Sequence, residues 1–198
     1  YNYTVKEVKG NNADVDYDEM TIGVKVTVTK DAATGLLSAK TEMTSTGGEA
    51  TGADEKIFNN HVVAPVTAQF DFSKALAGRE LKDGEFSFVL KDKDGKVLQT
   101  KQNDASGRVR FDALTFTNAQ VGDHKYTVEE VIPENKETGM TYDPMKAEVT
   151  ITVTKEGHVL KATNTLPADT EFNNTFTPAA AQAQFKFTKR LEGKELTK

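Results

Sequence analysis

Apolar and polar residues alternate along most of this chain, and the period is two. In "QFDFSKAL" (69–76) Phe70, Phe72 and Leu76 share one face of an extended segment. The same alternation runs through "GEFSFVLKD" (84–92), "GRVRFDAL" (107–114), "KYTVEEVI" (125–132), "KAEVTITVTK" (146–155), "HVLKATN" (158–164) and "TEFNNTF" (170–176). Turn-forming residues punctuate these runs at "KDKDGK" (91–96), "NDASG" (103–107), "VGDH" (121–124) and "KEGH" (155–158). Valine, threonine and phenylalanine fill the alternating positions, and no long segment has helical periodicity. About seven short strands within roughly one domain length predict an all-β sandwich.

The pattern also repeats. "YNYTVKEV" (1–8) matches "HKYTVEEV" (124–131), and "YDEMTIGVKVTVTKD" (17–31) matches "YDPMKAEVTITVTKE" (142–156). "IFNNHV" (57–62) matches "EFNNTF" (171–176), and "QFDFSKALAG" (69–78) returns as "QFKFTKRLEG" (184–193). The spacing is the size of one domain. Residues 65–180 therefore read as one complete repeat, 1–64 as the C-terminal part of a preceding one, and 181–198 as the first strand of a following one. The stretches "VVAPVTAQ" (62–69) and "FTPAAAQAQ" (176–184), each with a proline among small residues, read as short linkers between repeats.

Composition narrows the function. A net charge of −5 argues against nucleic-acid binding, which needs basic patches. No run is long and apolar enough to insert in a membrane. The absence of cysteine removes disulfides and thiolate metal sites, so another device must staple the fold. The histidines His61, His124 and His158 are scattered without ligand spacing, so no metal site and no cofactor are expected.

Three polar residues break the inward pattern. Lys74 has the parity of Phe70, Phe72 and Leu76; Glu130 shares a face with Tyr126 and Val128; Asn174 shares one with Phe172 and Phe176. The partial copies keep the same register at Glu7, Asn60 and Lys189. An unpaired charge in a core is costly and drifts towards its neutral form. A neutral Lys74 is a nucleophilic amine, and a protonated Glu130 carboxyl is a hydrogen-bond donor. Placed against the Asn174 carboxamide, they set up attack of Lys74 Nζ on Cγ. Glu130 would polarise the carbonyl and shuttle protons, and ammonia would leave. The chemistry consumes its own side chains once, so it is not a turnover enzyme. The plainer alternative is a buried Lys74–Glu130 ion pair.

"FDFSKALAGREL", "YTVEEV" and "FNNTF", in that order and spacing, resemble the intramolecular isopeptide-bond domains of Gram-positive surface proteins. The resemblance is to the pilin isopeptide-linkage domain of streptococcal T-antigen-type backbone pilins, which is related to collagen-adhesin B-type folds. It implies immunoglobulin-like, CnaB-type sandwich repeats in which Lys74 and Asn174 are cross-linked on neighbouring strands and Glu130 is the catalytic acid/base. Asn173 would replace Asn174 only if the last strand were bulged. The implied role is a pilus-shaft or stalk module, extracellular and anchored to a Gram-positive cell wall. Its partners would be neighbouring repeats, other pilin subunits or host surface proteins. The alternative role is an adhesin module that grips a host surface or matrix protein. Two weaker motifs point nowhere: "KDKDGK" lacks the later glutamate of a calcium loop, and "LPADT" (166–170) lacks the glycine and hydrophobic tail of a sorting signal.

Overall fold

The computed structural model describes residues 1–193 and is all β apart from one short 3₁₀ turn. Residues 194–198 of the expected final strand lie outside the described residues. The N-terminal part holds β1 (Asn2–Lys6), β2 (Val15–Asp16), β3 (Thr21–Lys30), β4 (Leu37–Thr46) and β5 (His61–Val62). There β1, β3 and β4 form one antiparallel sheet, and β2 pairs with β5. The rest comprises β6 (Val66–Ala68), β7 (Asp71–Ala77), β8 (Ser87–Asp92), β9 (Val97–Gln102), β10 (Arg108–Arg110), β11 (Leu114–Phe116), β12 (Gly122–Glu130), β13 (Met140–Thr141), β14 (Lys146–Glu156), β15 (Val159–Thr165) and β16 (Glu171–Phe176).

In this complete unit one sheet has the order β15-β14-β12-β8-β9 and the other β10-β7-β16-β13, with a small β11-β6 pair beside them. Alternation explains the core. Phe88, Leu90, Val128, Val149 and Ile151 come from the first sheet, and Phe72, Val109 and Phe172 from the second. All are buried, and together they form one apolar layer between the sheets. Each such side chain contributes roughly 1.5–3 kcal/mol relative to exposure.

Four local features differ from the sequence reading. "GRVRFDAL" is two strands, because the chain leaves β7 for β6 at the buried Phe111, whose ring packs 5.7 Å from that of Phe70. "VGDH" is not a turn: β12 starts at Gly122, and the reversal is the 3₁₀ segment Asn118–Gln120 just before it. The β9 strand escaped notice because an edge strand, paired only with β8 and largely exposed, needs no alternation. Finally, residues 62–69 are not a linker: Val63 is buried in the core of the complete unit, and β6 pairs with β11. "KDKDGK" is a hairpin turn as expected, with Asp92 Oδ1 accepting the N–H groups of Asp94 and Lys96.

Candidate functional site

β7 and β16 lie side by side and parallel, with Phe172 opposite Lys74 and Asn174 opposite Leu76. Alternation on these two strands turns Lys74 and Asn174 to the same inner face, leaving 3% and 1% of them exposed. Glu130 ends β12 in the opposing sheet, opposite Phe88, and is also buried. Asn173 is exposed, so the strand is not bulged towards it. Two glycines permit the close approach. A Cβ on Gly107 would lie 2.2 Å from the Lys74 carbonyl oxygen, and one on Gly78 would lie 1.9 Å from that of Phe176. Both have φ near +90°, which other residues rarely adopt.

The three side chains meet at one carboxyl group. Lys74 Nζ donates to Glu130 Oε2 at 2.9 Å, and Asn174 Nδ2 donates to Glu130 Oε1 at 2.7 Å. The carboxamide cannot turn round, because its oxygen accepts the Asp143 backbone N–H at 2.8 Å. This corrects the expected geometry, in which Glu130 sat on the Asn174 carbonyl. The carboxyl instead bridges the two nitrogens, and a backbone donor holds the oxygen. The Lys74 ammonium position lies 4.8 Å from the centre of the Phe86 ring. Burial pushes the Lys74 pKa down, against the opposing pull of Glu130 and more distant Asp143 and Glu171.

Asp143 was missed in the sequence, although its signal was there. "YDPM" and "YDEM" carry the same aspartate in both copies. Its carboxylate accepts the N–H groups of Met145 at 2.9 Å and Asn173 at 2.7 Å, clamping the loop after β13 to β16. The N-terminal copy reproduces this part. Asn60 Nδ2 donates to Glu7 Oε1 at 2.6 Å, and Asp18 N–H donates to Asn60 Oδ1 at 2.9 Å. The Asp18 carboxylate takes Met20 N–H and Asn59 N–H. Lys189 stays in the exposed stretch 181–193, where no strand forms among the described residues.

Residues 1–63 and 70–177 match the family described as FctA, the Spy0128-like isopeptide containing domain. The chain belongs to this family. No curated protein matches it. The two matched stretches of FctA type each enclose one of the sites above: Glu7, Asp18 and Asn60 in the first, Lys74, Glu130, Asp143 and Asn174 in the second. As an FctA-type chain it is a pilin-type, all-β structural module, and the family is not a conventional enzyme family. No helix among the described residues is long and apolar enough to cross a membrane.

The histidines are a second correction. His124 lies apart, with Nε2 against the Gln120 carbonyl, but His61 and His158 are stacked on each other.

Proposed function

We propose that this FctA-type chain is a pilus-shaft or stalk segment of a Gram-positive cell surface, in which each complete repeat is locked by a self-made amide. In residues 65–180 the amide joins Lys74 Nζ to Asn174 Cγ. The observation that carries this reading is the Glu130 carboxyl, with one oxygen on the incoming nitrogen and the other on the leaving nitrogen. A lysine whose pKa burial lowers supplies a neutral amine more readily than one in water. Its attack on Cγ forms the new C–N bond. The Asp143 N–H faces the oxygen on which negative charge develops, as an oxyanion donor does. Glu130 then accepts the Nζ proton at one oxygen and delivers a proton to Nδ2 from the other. The Cγ–Nδ2 bond breaks and ammonia departs, so atoms and charge balance without any co-reactant.

The reaction runs once per site, within a core that excludes water and fixes the partners, so proximity supplies much of the acceleration. The closed loop spans about 100 residues, and chain-entropy arguments for cross-links give a stabilisation of about 4–5 kcal/mol. Intact mass of the folded chain, with peptide mapping, tests the reading. The expected result is a deficit of one ammonia and a branched 74/174 peptide; full sequence mass in folded protein would refute it.

A further inference from the structure

At the junction of the N-terminal part with the complete unit lies a group of side chains that the amide chemistry does not use. His61 belongs to β5 and Glu49 to the loop after β4, whereas His158 tops the β14–β15 hairpin. The two imidazoles stack with centroids 3.8 Å apart and planes 9° from parallel. Both direct Nε2 at one carboxylate: His61 meets Glu49 Oε2 at 2.7 Å, and His158 meets Glu49 Oε1 at 2.7 Å. The other nitrogen of His158, Nδ1, is engaged by Asp16 Oδ2 at 2.8 Å. Lys155 holds the second oxygen of Asp16 at 2.5 Å, and Asn118 reaches the same neighbourhood.

We propose that Glu49, His61 and His158 form a binding site for a zinc-class divalent cation that ties consecutive repeats together. The ligand atoms of the three residues lie within 4.8 Å of one another. Two imidazoles and one carboxylate, with a fourth position open to water, are a set that zinc takes readily. Asp16 does for His158 what orienting carboxylates do for metal-bound histidines: it accepts Nδ1–H, fixes the tautomer and turns Nε2 to the ligand. The exchange is balanced. In the metal-free state each Nε2–H donates to Glu49, and the cation replaces those protons on the same nitrogens. Zinc–nitrogen bonds of about 2.0–2.1 Å in a tetrahedral site put ligand atoms roughly 3.3 Å apart. The cage therefore opens by a few tenths of an ångström, and the rings swing out of the stack. Their side chains are 40% and 37% exposed, which leaves room for that swing.

The position gives the cation a role. Two ligands come from one repeat and the third from the next, so metal occupancy would stiffen a joint otherwise held by hydrogen bonds such as Asn118 Nδ2 to the Ala13 carbonyl. Titration of tag-free full chain with zinc chloride, followed by calorimetry and native mass spectrometry with magnesium chloride as control, tests this. One zinc per chain is expected, with no magnesium. His158→Ala sits on an exposed hairpin tip and folds normally, as circular dichroism will check; it should abolish binding, and Asp16→Asn should weaken it about 10–100-fold. Scattering measurements should show a narrower spread of repeat orientations with zinc. Absence of binding at sub-millimolar zinc would overturn the proposal. So would unchanged zinc binding in His158→Ala, since the site would then not span the joint.

Discussion

The chain contains the same carboxyl–carboxamide–aspartate arrangement twice, once with a lysine and once without. Around Glu130 and Glu7 the distances are nearly equal: 2.7 and 2.6 Å to the carboxamide nitrogen, and 2.8 and 2.9 Å from the aspartate N–H to its oxygen. The surroundings differ sharply. Val128 is fully buried beside Glu130, whereas its counterpart Val5 is 45% exposed. Glu130 Oε2 takes Lys74, but Glu7 Oε2 accepts no hydrogen bond among the described residues. Two thirds of the site therefore assemble from local strands and one aspartate-clamped loop. What β7 and its sheet add is the amine and the exclusion of water.

The largest effect expected comes from making the complete site resemble the partial one. Lys74→Met should fold, keep its full sequence mass and lose about 4–5 kcal/mol in denaturant unfolding relative to the cross-linked chain. A loss below about 1 kcal/mol would mean that the lock is not what stabilises this unit. Next, Glu130→Ala should leave the protein folded but unlinked, whereas Glu129→Ala should cross-link fully. Glu129 faces outward to Lys91 and Lys146, and surface pairs of that kind are worth little. Reversal of the two phenotypes in mass spectra would overturn the assignment of the carboxyl.

The comparison sharpens further with Asp143→Ala. Loss of the clamp on Met145 and Asn173 should displace the N–H that holds the Asn174 oxygen, slowing amide formation during refolding about 10–100-fold. An unchanged rate would make the clamp a matter of folding alone. The converse experiment asks whether water exclusion matters. Lys189 of one chain meeting Glu7 and Asn60 of another should not react, because that pocket lacks an opposing sheet. Denaturing gels should show no covalent ladder; a ladder would show that an amine alone completes the site.

The smallest effect is a pH slope. In Asn174→Ala the amine stays free and buried. Between the lowered pKa of Lys74 and its ordinary value of 10.5 the unfolded chain binds a proton that the folded chain does not. Stability should therefore rise with pH across that window. Asn174→Ala/Lys74→Met should lack this increment, which paired urea titrations at several pH values would resolve. An equal slope in both would place the proton elsewhere.

Much of this was legible because strands write their faces in alternate letters. Parity alone put Lys74, Glu130 and Asn174 inward, and the repeat showed that none was an accident. Parity does not state which atom of a carboxamide meets which neighbour, however. The Asp143 N–H decides that, and a backbone donor leaves no letter in a sequence. The Phe86 ring near Lys74 and the break at Phe111 were hidden for a related reason: both depend on how two sheets close over each other. His61 and His158 lie far apart in the chain, and only the stacking of one repeat on the next brings them together.

The parallel pairing of β7 with β16 has a mechanical consequence. Tension applied through the chain enters β7 at its first residue and leaves β16 at its last, at opposite ends of two strands that run the same way. It acts along the strands as shear, not as an unzipping of one bond at a time. With the amide in place the stretchable backbone inside those strands shrinks to the three residues from Asp71 to Lys74 and the two from Asn174 to Phe176. The roughly 100 residues between lie outside the path of the force. A fibre built of such units would transmit a pull at nearly constant length, with no reserve of unfolding to lengthen it and no unfolded segments for proteases to cut.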